Sequence, residues 1–320
     1  MSVLFFSLSF FLNLPIADST LGTVEADTDF YQPLAFCMIW QHIAFFVYLC
    51  QSLLGTFIYL QFEDVDRIWH VHHGISPNAD AWADFCIAFC QSCGVPIDLV
   101  RVDVPRDSGE GLEAAARRMR HGVFAARDAD WLTLAHHRDD QAETVLLNLL
   151  RGAGIAGAAG MLPERPQAHG PALIRPLLDV PRAEIEAYAA AHGLRWIDDE
   201  SNDDVHFRRN FLRHDVLPRL DEKFPGAQKS LARAAGHFAA ASALLDELAE
   251  LDRVTLATPS GRIAVSRFNA LTPARARNLL RFAWVEAGFR APDTRWIDEA
   301  LQQLAGADAS SEICLATADG

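Results

Sequence analysis

The sequence predicts an α/β protein, a parallel sheet flanked by helices, followed by a smaller and mostly helical domain. Three observations carry this. From Arg67 onward short apolar runs alternate with longer amphipathic ones, the βαβα order of a chain that returns through helices to a parallel sheet. The apolar runs suit strands, since Pro96 to Val104 is rich in β-branched residues and Trp131 to Ala135 reads as a buried strand. After Pro218 the chain turns Ala- and Leu-rich, most clearly from Ala227 to Leu251, and that composition favours helix.

The elements follow in order. Ile68 to His72 reads as a strand, and Asn78 to Cys93 as a helix closed by Gly94. Pro96 to Val104 is the next strand, Glu110 to Arg127 a helix, Trp131 to Ala135 a strand and Asp139 to Arg151 a helix. Ala172 to Leu178 is extended. Pro181 starts a further helix that Gly193 stops, with Asp179 placed to help its start. Beyond the Ala227 helix come a hairpin-like piece at Ser260 to Val265, a helix from Pro273 to Gly288, and an unfinished strand and turn near Gly320. The expected organisation is an atypical apolar segment over residues 1–66, an α/β domain over 67–217 and a mostly helical substrate domain over 218–320.

The first 62 residues differ from the rest. They hold no Lys or Arg and ten of the chain's 20 Phe. The uncharged run from Pro33 to Phe62 is long enough to cross a bilayer. Val3 to Ile16 has the apolar character of a signal peptide without the positive charges that precede one. Three readings stand for this segment: a membrane anchor, a signal, or an aberrant N-terminus. The abrupt change of composition at Arg67 favours the third.

The 320 residues carry a formal net charge of −14. That balance excludes a protein that holds nucleic acid by bulk electrostatics, so any RNA contact is local. Arginine supplies it, clustering in RRMRH (Arg117 to His121) and HFRRNFLRH (His206 to His214), while the only lysines are Lys223 and Lys229. Guanidinium forks suit phosphate and carboxylate better than ammonium does. The six cysteines form no secreted disulfide pattern. Cys86, Cys90 and Cys93 have the spacing of some iron–sulfur ligands, but with Trp82, Phe85 and Phe89 they trace the buried stripe of a helix.

Four motifs carry chemistry. In AHHRDDQAET a strand hands over to a helix, the position where open α/β sheets bind ligands. His136, Asp140 and Glu143 fall at i, i+4 and i+7, so an imidazole and two carboxylates share a face. Such a face can hold magnesium, with Asp140 as ligand, orient an amine or move a proton; acidic residues also favour a helix start. RGAGIAG, with Gly152, Gly154 and Gly157, follows a helix, so it is not a dinucleotide fingerprint; it is a loop beside a nucleotide or a helix stop. In RWIDDESNDDVHFRRNFLRHDVLP an acidic stretch precedes Arg208, Arg209 and Arg213, with Arg209 and Arg213 on one helical face. HVHHG ends a strand whose alternation sends His70 and His72 to one side and His73 to the other, which suits contact with a nucleotide better than zinc.

Taken together, HVHHG, LEAAARRMR, HHRDDQAET, RGAGIAG, RPLLDVPR and DDESNDDVHFRRNFLR resemble the tRNA(Ile)-lysidine synthase family, in its order and spacing, over His70 to Leu251. The resemblance implies a PP-loop, adenine nucleotide alpha-hydrolase-like fold. It implies a cytoplasmic ligase that uses ATP and magnesium, with L-lysine and a tRNA(Ile) bearing a CAU anticodon as substrates, and a homodimer. The wobble cytidine would be adenylated and then attacked by the lysine amine. By the same resemblance His136, Asp140, Glu143 and Arg209 are catalytic, with Glu143 holding the lysine ammonium. His73, Arg117, Gly152 and Gly154 bind the nucleotide. The family's SGGxDS loop has no counterpart, because the corresponding stretch reads FCMIWQHIAFFVYLCQS, without Gly or Asp; inefficient use of ATP is the expectation. A tRNA thiolase of the same fold is the alternative enzyme. An inactive, membrane-tethered RNA-binding or scaffold remnant is the alternative outside enzymes.

Overall fold

A computed structural model describes residues 57–59, 67–106, 111–167, 170–259, 261–289 and 291–307. The expectations for residues 1–56, including the signal-like stretch and most of the apolar run, lie outside the described residues, as does the unfinished strand at the C-terminus. Contacts divide the chain into two compact units, residues 1–153 with 160–235 and residues 154–159 with 236–320. The division falls inside one long helix rather than at Pro218.

In the first unit the strands are β1 (Phe57–Tyr59), β2 (Arg67–His72), β3 (Ile97–Arg101), β4 (Trp131–Thr133), β5 (Glu164–Arg165) and β6 (Ala172–Ile174). The helices between and after them are α1 (Ala79–Ser92), α2 (Leu112–Ala125), α3 (Arg138–Leu150), α4 (Ile155–Ala158, assigned to the second unit), α5 (Arg182–Ala191), α6 (Arg208–Phe211) and α7 (Leu217–Lys223). α8 (Ala227–Leu256) carries the chain across the division into the second unit. Each expected strand and helix of 67–193 is present, mostly trimmed by one to four residues at its ends. Gly94 and Gly193 stop α1 and α5 with φ of 69° and 61°, a left-handed turn that costs a glycine little. Asp179 is not the residue that helps α5 begin. The first free amide of α5, Arg182 N–H, donates to Asp139 Oδ2 of α3 at 2.9 Å, so one helix start caps another.

The sheet order is β3-β2-β1-β4-β6-β5. β2 with β3 and β4 with β6 are parallel, as the crossovers through α1 and α3 require. The place between β2 and β4 is taken by β1, which precedes the expected start of the α/β domain. Phe57–Tyr59, the end of the apolar N-terminal run, fills it and pairs antiparallel with both β2 and β4. Backbone N–H and C=O groups accept a partner in either direction, so three apolar residues suffice to close the gap.

Side-chain alternation separates two apolar layers. One face presents Ile68 and Ala135 to Trp82, Cys86 and Cys90 of α1 and Ile185 and Ala189 of α5. The other presents Trp69, Val71, Leu132, Leu134 and Leu173 to Phe124 of α2. Cys86 and Cys90 are therefore core residues, wholly buried, and burial pushes the Cys90 thiol up to about 12; Cys93 is exposed.

The second unit contains the later part of α8, then α9 (Val265–Phe268), α10 (Pro273–Glu286) and α11 (Thr294–Gly306). A bridge between Ala257 and Ile263 makes the hairpin-like turn. Its core gathers Ala249, Phe268, Ala276 and Leu279. Asp252, sealed from solvent, is paired with Arg275. Among the described residues no helix is long and apolar enough to cross a membrane.

Candidate active site

Strand β4 delivers its chain to α3 at the carboxyl end of the sheet, and the handover is tightly pinned. His137 N–H donates to Asp140 Oδ2 at 3.1 Å, the reciprocal contact of a capping box. α3 starts at Arg138 with His137 as its cap. His136 thus lies before the helix, and the expectation that it shares a helical face with Asp140 and Glu143 is corrected. The extended cap residue turns the chain, yet His136 still faces Asp140 closely enough to feel its charge. Burial, the largest influence, pushes the His136 imidazole down to about 3. Its Nδ1 is sealed from solvent without a hydrogen-bond partner.

Glu143, one turn along α3, is 1% exposed. Arg209 Nε–H donates to its Oε2 at 2.7 Å, and Arg213 donates from Nε to Oε1 at 2.7 Å and from Nη2 to Oε2 at 3.1 Å. The two arginines are four residues apart across a π-helical turn, Leu212–Val216, that separates α6 from α7. Pro218 explains the turn, since it has no N–H to give the carbonyl of His214 and the helix widens before it. The same guanidiniums approach Asp140 Oδ1, at 3.3 Å from Arg209 and 3.5 Å from Arg213. Burial pushes the Asp140 carboxyl up, but His137, Arg209, His136 and Arg213 outweigh it and hold it well below the usual carboxylate range.

This geometry assigns roles differently from the resemblance. Glu143 has both oxygens occupied and no exposed surface, so it positions Arg209 and Arg213 rather than holding an ammonium. Magnesium does not fit at Asp140. One of its oxygens faces two guanidiniums and the other takes a backbone N–H, and no cluster of three His, Cys, Asp or Glu able to hold a metal occurs among the described residues. Arg209, a third exposed, is the member of the cluster that can touch a bound molecule.

His136, Asp140, Glu143 and Arg209 are brought together; the remaining candidates are not part of this cluster. His73 follows β2 and lies by Arg120, while Arg117 is exposed on α2. Gly152 has φ 75° and ends α3, and Gly154 caps the short α4 with an ordinary φ of −71°. Neither is crowded by another atom, so helix punctuation accounts for both. Sequence reasoning missed Gln141, whose amide donates to Met161 O and accepts from Met161 N–H, both at 2.8 Å. Arg120, within RRMRH, and Arg175, the first residue of RPLLDVPR, lie in quoted motifs without being site candidates in their own right, and Gln141 lies within the HHRDDQAET motif.

The PP-loop domain family matches residues 50–220, more than half of the chain, and the TilS substrate binding domain matches residues 264–320. The tRNA(Ile)-lysidine synthase of Azoarcus sp. (strain BH72) is 49% identical over 73% of this chain and 52% of its own length. Those of Aromatoleum aromaticum and Chromobacterium violaceum are 48% and 46% identical, each over 78% of this chain and 58% of their own. The chain thus spans about half the length of the curated relatives it matches. Among solved structures, the U34-tRNA thiolase of Methanococcus maripaludis with its 4Fe-4S cluster gives a TM-score of 0.47 at 16% identity, over 63% of this chain and 78% of that one. A match across most of the α/β unit, on a sheet whose carboxyl end carries the motif residues, places the chain in the PP-loop family.

Proposed function

We propose that this chain carries out the chemistry of a tRNA(Ile)-lysidine synthase, joining L-lysine through a carbon–nitrogen bond to the wobble cytidine of a tRNA(Ile) with a CAU anticodon, at the expense of ATP and in the cytoplasm. The observation that carries the reading is the contact between two distant motifs: Asp140 and Glu143 of HHRDDQAET meet Arg209 and Arg213 of RRNFLR. Relatives 49% and 48% identical to this chain, over 73% and 78% of it, bear that name.

The reaction has two steps. The cytosine carbonyl oxygen attacks the α-phosphorus of ATP and pyrophosphate leaves. The lysine amine then attacks the activated ring carbon, loses a proton, and AMP leaves. The chain's own residues act around these steps. Arg209, held by Glu143 and Asp140, presents fixed positive charge to the phosphate on which negative charge builds, and a preorganised charge of this kind lowers the barrier without reorganising. His136, neutral at pH 7, accepts a hydrogen bond near the same place rather than repelling a cation.

The test is incorporation of labelled lysine into a tRNA(Ile) transcript by the purified full chain, with and without ATP. Incorporation that needs ATP and the wobble cytidine, and falls at least about a hundredfold in Arg209→Ala, supports the reading. Binding of the transcript with neither lysine transfer nor AMP formation would overturn it in favour of an RNA-binding protein that has lost catalysis.

A further inference from the structure

The segment that carries Arg209 and Arg213 cannot orient itself. α6 is four residues long and runs directly into the π-helical turn Leu212–Val216, far short of the length at which a helix holds together on its own hydrogen bonds. Leu212 and Leu217, 3% and 2% exposed, sink it into the protein. Apolar burial is non-directional, so these leucines set the depth of the segment and leave its rotation about the axis open. Rotation decides where a guanidinium at the end of a long, flexible side chain comes to lie.

Directional contacts hold the segment from two sides. Arg209 and Arg213 reach Glu143 from one face. Asn210 and His214, each one residue further on and so about 100° round the helix, reach the loop that precedes it. Asn210, 8% exposed, gives both N–H groups of its amide to that loop, one to Ser201 O at 2.8 Å and one to Asp204 O at 2.9 Å. His214 Nε2 lies 2.8 Å from Asn202 O and donates to it when that nitrogen carries the proton. The loop is a bracket made before the helix arrives. Asp199 Oδ1 accepts Ser201 N–H at 2.9 Å round the 3-10 turn Glu200–Asp203, and Asp204 Oδ1 accepts His206 N–H at 3.0 Å. Aspartates that bond the backbone two residues on fix such turns locally. On propensity an asparagine is a poor choice inside a helix, and this one is spent on two carbonyls outside it.

We propose that Asn210, with His214 beside it, is a positioning residue for Arg209. It locks the rotation of α6 against the 199–206 loop, and so holds the Arg209 guanidinium on Glu143 and Asp140 while about a third of that side chain stays open to a bound molecule. Asn210 acts through Arg209 and touches no substrate itself. Its catalytic consequence rests on the proposed function, whereas the latch itself rests on hydrogen bonds.

The experiment is a double-mutant cycle on the full chain. Single-turnover lysine transfer is measured at saturating ATP and lysine, well below the melting temperature of every variant. Asn210→Ala should slow it on the order of tenfold to a hundredfold, the effect of displacing a catalytic group by about 1 Å. In the Arg209→Ala background the same substitution should change the rate by less than about twofold, because nothing is left to position. A fall of equal size in both backgrounds would mean a merely structural role and would overturn the proposal, as would a parental rate in Asn210→Ala. A second readout needs no turnover. The Arg209 Nε–H resonance, identified in isotope-labelled protein by its absence from Arg209→Ala, should exchange with water roughly tenfold faster in Asn210→Ala than in the parent. A parent that transfers no lysine sinks the ligase reading, and this resonance then decides the latch alone; an unchanged exchange rate overturns it. Where Asn210→Ala does not fold, His214→Ala, whose residue is exposed, takes its place in both readouts, with an expected effect of about three- to tenfold for one hydrogen bond.

Discussion

Arg213 Nε–H donates to Glu143 Oε1 at 2.7 Å across 70 residues of chain. Together with Arg209 it makes one carboxylate the anchor for two guanidiniums, in a place water does not reach. Burying such a group is costly unless every partner is present, and removing one partner of a buried ion pair typically costs about 3–5 kcal/mol. Glu143→Gln is expected to destabilise the first unit by about 3 kcal/mol in urea denaturation. Arg213→Met should cost less, because Glu143 keeps Arg209. A Glu143→Gln variant of unchanged stability, with only a raised KM for lysine, would return Glu143 to the role of an ammonium holder.

The cap that Asp139 gives α5 can be separated from the one the chain order suggests. Asp139→Ala frees the Arg182 amide and should cost about 1 kcal/mol. Asp179→Ala, which removes no side-chain hydrogen bond among the described residues, should lie within about 0.5 kcal/mol of the parent. Thermal melts of the two variants side by side decide it, and equal losses would refute the assignment.

Gly160 stands where the chain passes under α3. Its φ is 65°, and a methyl group there would lie 2.7 Å from Gln141 Oε1, the atom that accepts Met161 N–H. Gly160→Ala therefore strains the backbone and displaces both hydrogen bonds of Gln141, and about 2 kcal/mol is expected from these combined mechanisms. Gly152→Ala, equally left-handed but uncrowded, should lose about 1 kcal/mol. The difference between the two melting temperatures measures the crowding alone.

These cases also mark what the sequence could tell. Strands and helices from Ile68 to Gly193 were legible because their periodicity and their glycine and proline stops are local properties. The motif string Ala135 to Thr144 was legible as a site for the same reason. What escaped was set by tertiary contact. The seven-residue arithmetic that put His136 on the face of Glu143 assumed a helix already begun, whereas the His137–Asp140 contact starts it later. Glu143 as a ligand for an amine was plausible until Arg209 and Arg213 arrived from 66 and 70 residues away. Arg175 opens the RPLLDVPR motif, but its burial was not legible there, because an arginine after a strand is ordinarily exposed.

Acid sensitivity follows from the histidines. His70, 3% exposed, is pushed down to about 4 by burial first and then by His72, His73 and Arg101; His73 and His121 also lie at about 4, and His136 at about 3. Their unfolded value is near 6.5, so below it the unfolded chain binds more protons than the folded one. Stability is then complete above about pH 6.5 and is lost as pH falls toward 4. The carboxylates Asp139 and Asp140, held low, lose their contribution only in more acid solution, below the unfolded carboxylate value. His70 alone accounts for about 3 kcal/mol if its full shift is realised, and the partly exposed His73 for less. Urea midpoints at pH 7.5, 6.5, 5.5 and 4.5 should decline most steeply between 6 and 4.5. His70→Asn, which cannot take up the proton, should flatten the decline. A midpoint constant down to pH 4.5 would mean that the fold accommodates the protonated imidazoles.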